Sequence, residues 1–504
     1  MARYGTFKYS EEKYGASVNT NLLLALEIDW DNDDVFDGSN EAVRMTRFQT
    51  ERGRDFYLSA DGNGFETNPI GYAICTLDNY DGKYDPWNTL SELYGYLATG
   101  KKARLWLRNG IDGTDYHLIT GILTDIKPYG RKDEVDLVID CGMRWLQDRT
   151  PSVQLHEGIY ADDAIELILD DISYPSIWGR SIDTAPDPIG YWWTTGKKAK
   201  SEIEDIANSG MGYFFVAADG TATYYSRHRT DTSVMTITED EILKTVSLPQ
   251  PWEFQRNIIK VNAHPLIEQA ESNLWTLRET PYVDDGDSIV IWLEYTYDGV
   301  NVPAVDIVDP VATTDYTMNT ASDGSGSDLT SGWSVVANKF SKTAKLTLTN
   351  NSGFGGYVTL ATVRGKAVTS PDVTTVIEEG TGADDYPREM ELDLPWQQDY
   401  NTAVDFAGFL KRFLGNPNAF PTIIIENRPE IQFGLELYDR VTLQLDSLGI
   451  DQEFRVGKIK HKSKSDTCQL VSTEISFFPA YDTGGSLYWI LGQSLLGSET
   501  YMGW

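Results

Sequence analysis

The sequence predicts a mainly β protein built from several units: two β-barrels, a small α+β domain and an inserted β-sandwich. Three observations carry this reading. The chain has 504 residues, too many for a single core when domains run to roughly 100–200 residues. Most of it alternates short runs of Val, Ile, Thr, Tyr and Phe with Gly, Asn and Asp turns, the pattern of antiparallel strands with one buried face. Helical spacing is confined to a few short stretches.

Residues 1–150 read as the first barrel. Alternating runs at 103–108, 117–126 and 135–140 belong to a sheet long enough that it has to close or pack to hide its edges. Residues 151–247 read as the α+β domain. There Ile165, Ile168, Leu169 and Ile172 fall at i, i+3, i+4 and i+7 and predict a helix over 161–173 that Pro175 stops. Ala199, Ile203, Ile206 and Ala207 share a second helical face over 199–208, with Gly210 placed to cap it. A hairpin, 213–217 and 221–225, turns at Asp219-Gly220.

Residues 248–290 and 381–480 read as the second barrel, with strand patterns resuming at Trp252. Its one helix is predicted from Thr402 as N-cap, Asp405 three residues on, a face of Ala403, Phe406, Leu410, Phe413 and Leu414, and Gly415 with Pro417 as terminator. The sandwich at 291–380 interrupts it, with clean alternation at 333–336, 345–349 and 357–363 after a Ser/Gly/Asp-rich linker at 321–328. Residues 481–504 form a C-terminal tail. The absence of a short-period repeat disfavours a solenoid or propeller.

Acidic residues outnumber basic ones by 76 to 42, a formal charge of -34. Such a surface opposes binding to nucleic-acid phosphates or anionic lipid. It suits either solubility in a saline medium or a wall past which a polyanion slides. Cys75, Cys141 and Cys468 are far apart, outside any C-x-x-C pair, and read as small buried apolar residues. No run approaches the roughly 18 apolar residues of a membrane span, and no basic segment precedes an apolar leader, so a protein made in a cytoplasm is expected.

Asp29, Asp31, Asp33 and Asp37 sit at positions 1, 3, 5 and 9 of a calcium-loop spacing that converges hard oxygen ligands. The pattern is incomplete, because Asp34 stands where the sharp turn wants Gly and Asn40 where a bidentate Glu belongs. A weak calcium site and a solvated acidic turn are the two readings. His117, His156, His228, His264 and His461 lack zinc-ligand spacing and read as hydrogen-bonded structural residues. The adjacent carboxylates Asp162-Asp163 and Asp170-Asp171 fit chance in so acidic a chain. Tyr191-Trp192-Trp193 reads as core or subunit contact in preference to a sugar platform. There is no nucleophile elbow, phosphate loop or dinucleotide fingerprint. No catalytic residue, and no cofactor other than calcium, is predicted.

Arg52-Gly53-Arg54, then Thr76-Leu77-Asp78-Asn79-Tyr80-Asp81-Gly82-Lys83-Tyr84-Asp85-Pro86-Trp87-Asn88, then Tyr94-Gly95 and Lys101, resembles the opening of long-tailed bacteriophage hub proteins, often called minor tail proteins. Physically, Asp81-Gly82 reverses the chain, and Pro86 and Trp87 are expected to pin the return over a barrel end. Ile119-Thr120-Gly121 with Asp125, the helix before Pro175, and Leu437-Tyr438-Asp439-Arg440-Val441 follow in family order. Trp489-Ile490-Leu491-Gly492 and 495–503 resemble the family's short glycine and aromatic tail. The resemblance covers most of the chain except 290–380.

The resemblance implies a structural hub at the tail tip or baseplate of a virion. Three copies with two barrels each would form a pseudo-sixfold ring, joining the tail tube or distal tail protein to a threefold central fibre or spike. The tape measure protein and DNA would pass through the bore, where acidic residues repel phosphates. Tyr488, Trp489, Leu495 and Trp504 would contact a neighbour. Two rivals are a secreted carbohydrate-binding protein and a tail-associated hydrolase of the cell wall.

Overall fold

A computed structural model describes residues 22–36, 40–56, 65–110, 113–130, 132–227, 229, 231–243, 246, 248–250, 254–380, 386–415, 419–463, 468 and 470–480. Asp37, His228, Trp252, Pro417 and the whole of 481–504, with Tyr488, Trp489, Leu495 and Trp504, lie outside the described residues.

Six strands open the fold: β1 (Leu22–Ile28), β2 (Met45–Gly53), β3 (Tyr72–Asp78), β4 (Lys102–Asn109), β5 (Asp115–Tyr129) and β6 (Glu134–Cys141). They pair antiparallel in the order β1-β4-β5-β6-β3-β2. Alternation sets their faces: Val135, Leu137, Ile139 and Cys141 of β6 are buried while the residues between them are half-buried, as a period of two requires. Gly121 in β5 is needed for close approach, since a Cβ there would lie 1.9 Å from the Asp140 carbonyl oxygen.

The sheet does not stop at β2. Gln49 to Gly53 pair antiparallel with Lys462 to Lys458 of the strand Ile450–Ser463. That strand in turn pairs with Arg440–Leu445 and Val471–Pro479. Most strands expected in two separate barrels, together with Met235–Thr238 of the α+β region, are therefore hydrogen-bonded into one eleven-stranded sheet, while Ile258–Ala263 and Glu389–Asp393 pair with Thr374–Glu379 in a separate three-stranded sheet. Two cores hang on it. The first joins Leu26, Phe48, Leu77 and Leu137 to helices α1 (Met143–Asp148), α2 (Ala161–Asp171) and α3 (Ala199–Ser209). The second joins Ile259, Ile423, Ile475 and Phe477 to helix α4 (Tyr400–Leu414).

The seam between β2 and the Ile450–Ser463 strand is closed by glycine. Gly53 has φ +83, and a Cβ there would lie 2.1 Å from the Gly457 carbonyl oxygen and 2.6 Å from Leu437 Cδ2. A Cβ on Gly457 would lie 2.8 Å from the Arg54 carbonyl oxygen. On the other side of the same strand, in its pairing with Val471–Pro479, the register shifts between Val456 and Lys458, so Gly457 occupies a bulge there. The Arg54 amide donates to the Gly457 carbonyl at 2.9 Å.

Side chains lock the same place. Arg52, 4% exposed, meets Glu436 at 2.6 Å, and the other Glu436 oxygen accepts the Ala218 amide at 2.7 Å. Tyr438, at φ +65, stacks on Tyr213 with centroids 4.7 Å apart and donates its hydroxyl to Asn68 at 3.1 Å. Residues distant in sequence, from the first strands, the α+β region and the last strands, meet here.

The helices form where apolar spacing places them. Ile165, Ile168 and Leu169 of α2 and Ile203 and Ile206 of α3 are buried. Helix α2 ends at Asp171, two residues short of the expected end, because Ser173 takes φ +52. Helix α4 starts earlier than Thr402: its N-cap is Asp399, whose Oδ1 accepts the Thr402 amide at 2.8 Å. The hairpin Tyr213–Val216 and Ala222–Tyr225 gains a parallel third strand, Arg180–Ile182, too short to be legible by alternation.

The inserted region has its own core, including Leu274, Tyr295, Leu346, Leu348 and Val363. Ile267–Thr276, placed by sequence with the second barrel, pairs instead with Gly356–Thr369 in this region. Ser288–Glu294, Thr343–Asn350 and Trp333–Lys339 form a three-stranded sheet. The expected linker is an ordered turn: Asn319 Nδ2 donates to the Gly324 and Gly326 carbonyls at 3.1 and 3.2 Å, and Asp323 accepts the Ser325 amide at 3.0 Å. Cys75 and Cys141 are buried and Cys468 is half-buried.

Two predictions follow from the seam. Gly53→Ala drives a Cβ into the facing backbone from a left-handed conformation, so it is expected to destabilise by at least about 2 kcal/mol in denaturant titration. Asp439, whose carboxylate accepts the Glu436 amide at 2.8 Å, is pushed up to about 6 by burial, with the Glu436 and Asp231 charges adding. Because it keeps its proton to higher pH when folded, its contribution is full below about pH 4 and lost as pH rises through about 6. Asp439→Asn should flatten that fall and raise stability at pH 7 by about 1–3 kcal/mol, read from unfolding midpoints across the pH range.

Candidate functional site

The acidic loop follows β1. Asp29 is 2% exposed, and its carboxylate accepts the Asp33 amide at 3.1 Å and the Asp34 amide at 3.0 Å. Asp33 accepts the Val35 amide at 2.9 Å, and Lys102 pairs with Asp34. Ligand oxygens of Asp29, Asp31 and Asp33 lie within 4.8 Å of one another, an arrangement able to coordinate a cation. Asp34, in the glycine position of the loop, takes φ +71, the left-handed conformation the turn needs. Asn40 is committed elsewhere: it caps the Glu41–Arg44 turn, accepting the Ala42 amide at 2.9 Å and the Leu26 amide at 3.0 Å. Desolvation and the neighbouring Asp33 charge raise the Asp31 carboxyl above its ordinary range.

The corner after β3 is a chain of turns. Gly82, at φ +67, donates its amide to the Asn79 carbonyl at 3.0 Å. Asp85 then bonds back to Gly82, Asn88 to Asp85 and Ser91 to Asn88, at 3.0–3.2 Å. What fixes the corner is a buried cluster absent from the sequence reading. Glu41, 2% exposed, receives Lys83 Nζ at 3.1 Å and the hydroxyl of the fully buried Tyr84. Lys83 also reaches Glu92 at 3.0 Å. On the surface, Arg44 grips Asp81 with two bonds of 2.7 and 2.8 Å, which holds the Asp81 carboxyl down to about 2.

The expectation for Trp87 fails, because Tyr84 pins the return and Trp87 is 81% exposed. Glu41 accepts from the Tyr84 hydroxyl and, at 3.4 Å, from the Trp30 indole. Tyr80 and Leu90 are 71% and 93% exposed, and Tyr94 and Tyr96 are also exposed. The corner thus presents a row of large apolar side chains to solvent.

The remaining candidates are structural. His461 is buried with Nδ1 2.9 Å from Thr473 Oγ1, and burial pushes it down to about 3. Burial also lowers His117, while His264 meets Asp393. Trp192 and Trp193 are core residues, and both rings pack against Trp396. Asp170 pairs with Arg180, and Asp171 accepts the Ser152 amide at 2.8 Å. Removing the anchor separates structure from surface: Glu41→Ala is expected to cost about 3 kcal/mol by stripping a buried cation of a partner. Trp87→Ala should stay within about 0.5 kcal/mol of the parent in the same denaturant titration.

No family model matches the chain, and no curated protein matches its sequence. Solved structures do. The tail protein of Neisseria meningitidis MC58 aligns over 92% of this chain and 98% of its own, with a TM-score of 0.52 at 10% identity. The 43 kDa tail protein of prophage MuSo2 from Shewanella oneidensis aligns over 90% and 98%, with a TM-score of 0.47 at 9% identity. Prophage tail protein gp18 of Listeria monocytogenes EGD-e aligns over 91% and 94%, with a TM-score of 0.40 at 10% identity. The fold assignment rests on the first of these. The chain therefore has a tail-protein fold, in line with the resemblance to long-tailed phage hub proteins carried by Arg52-Gly53-Arg54 and the Thr76 to Asn88 run.

Proposed function

We propose that the chain is a structural hub of a phage tail tip or baseplate, working as a homotrimer that joins the sixfold tail tube or distal tail protein to a threefold central fibre or spike. The observation that carries this reading is the alignment with the Neisseria tail protein along 92% of the chain. A match of that extent concerns the whole architecture, both cores included. Two cores carried on one sheet supply two ring positions per subunit, and three copies supply six.

The exposed corner supports a partner there. Tyr80, Trp87 and Leu90 expose large apolar side chains beside the Arg44–Asp81 pair, the mixture of apolar centre and polar rim that suits a protein contact. The tail at 481–504 carries charge only at Asp482 and Glu499, and we assign Tyr488, Trp489, Leu495 and Trp504 to a neighbour contact. The net charge of -34 fits a bore through which the tape measure protein and DNA pass without sticking. The role is structural and not catalytic; a wall hydrolase needs a catalytic constellation, and the histidines are scattered, with His461 bonded to Thr473 and His264 to Asp393.

Native mass measurement with the cognate tube or distal tail protein tests the proposal. Trimers, or rings with three copies, are expected, and Leu90→Asp with Trp87→Asp should abolish ring formation while leaving the fold intact by circular dichroism. A chain that stays monomeric with its tail partners, is absent from virions by labelled electron microscopy, or digests cell wall on a zymogram overturns it.

A further inference from the structure

A cleft of about 440 Å³ lies between the α+β region and the inserted module. Its floor is Trp292 and Phe340, whose rings lie 5.9 Å apart at an interplanar angle of 21°. Trp292 is 64% exposed, although it sits in the middle of a paired strand. Strand alternation places it on the outer face of the three-stranded sheet, opposite Lys345, whose Nζ lies 5.8 Å from the ring centroid. Val290 and Val336 are exposed on the same face, each paired with Thr347. The result is a flat, rigid apolar platform at the mouth of a concave site.

The walls differ from the rest of the surface. Ser152, Gln154, Thr194, Thr195, Ser341 and Thr343 line the cleft. No Asp or Glu does, in a chain with 76 of them. Thr194 and Thr195 are engaged with Val153 and Glu202, but the side chains of Ser152, Gln154, Ser341 and Thr343 make no hydrogen bond among the described residues. Lys342 contributes one cation, set over the Trp193 ring at 5.6 Å. A second cleft of about 350 Å³, lined also by Glu157, Asp306 and Lys339, shares Gln154 and Phe340 with the first, so the two form one elongated groove.

We infer that this groove binds an oligosaccharide, with Trp292 and Phe340 as the stacking floor and Gln154, Ser341 and Thr343 as the hydrogen-bonding walls. A sugar ring presents an apolar face of C–H bonds and an edge of hydroxyls, each both donor and acceptor. An aromatic floor with hydroxyl and amide walls complements both at once. The groove is mixed in charge, with Lys342 beside the floor and Lys339, Glu157 and Asp306 in the second cleft, so neither a polyanion nor a basic peptide meets a wall of one opposite sign. The elongated shape suits the interior of a glycan chain. Cleavage is not part of the inference, since glycoside hydrolysis needs a pair of carboxyl groups flanking the bond; none lines the Trp292 cleft, and in the second cleft Asp306 is tied to Lys366 at 2.7 Å. This site is independent of the hub reading: a hub without it remains a hub.

The test uses the full chain on an array of neutral and amino-sugar oligosaccharides, followed by calorimetry with the best-retained glycan. Retention of at least one glycan is expected, weakened by about tenfold or more in both Trp292→Ala and Gln154→Ala, with unchanged circular dichroism and no shortening of the sugar. One substitution is in the floor and the other in a wall, and both side chains are exposed, so neither threatens the fold. A blank array, binding that Trp292→Ala leaves intact, or a second copy or tail partner found covering Trp292 overturns the inference.

Discussion

Everything in this molecule depends on the pairing of Gln49 to Gly53 with Lys458 to Lys462. Without it, the strands near the start and those near the end of the chain would be separate sheets with exposed edges, which soluble β proteins avoid. The pairing is close because two glycines face each other, one left-handed and one in a bulge, and any side chain on either would strike backbone. Arg52, Glu436, Ala218 and Tyr438 then tie a third region to the same point. The α+β region cannot rotate freely against either core while those bonds hold. A continuous sheet with two cores is a stiff body.

The seam also explains two stretches of family-like sequence. Arg52-Gly53-Arg54 and Leu437 to Val441 are separated by most of the chain, and neither carries chemistry. They are the two faces of one joint. The corner at Thr76 to Asn88 is likewise structural within, through Glu41, Lys83 and Tyr84, and available for contact without, through Tyr80, Trp87 and Leu90. The same short segment thus holds a buried ion pair on one side and exposes large apolar side chains on the other.

What was legible in the sequence was local. The faces of α2 and α3, the turn at Asp219-Gly220 and the alternation of β6 follow from spacing within a few residues, and those elements form where spacing puts them. The β2 seam left only glycines as local traces, because pairing across some four hundred positions has no periodic signature. The start of α4 was misplaced since Asp399 and Thr402 are both good caps, and only the helix register decides between them. Tyr84 and Trp87 look alike in the sequence for a similar reason: two aromatics share one turn, and only the fold decides that Tyr84 is the one buried beside Glu41. Trp292 was missed because alternation gives two faces without saying which the module core takes. Asp29, Asp31 and Asp33 do come together as their spacing suggested, with Asp29 and Asn40 partly committed to backbone donors.

The joint can be measured directly by amide hydrogen exchange. The account requires the amides of 49–53 and 458–462 to be protected to the same degree and to open together, with a free energy close to that of global unfolding. Separate opening of the two strands, with one exchanging freely while the other stays protected, would show that the two halves fold as independent sheets and would contradict the single-body account.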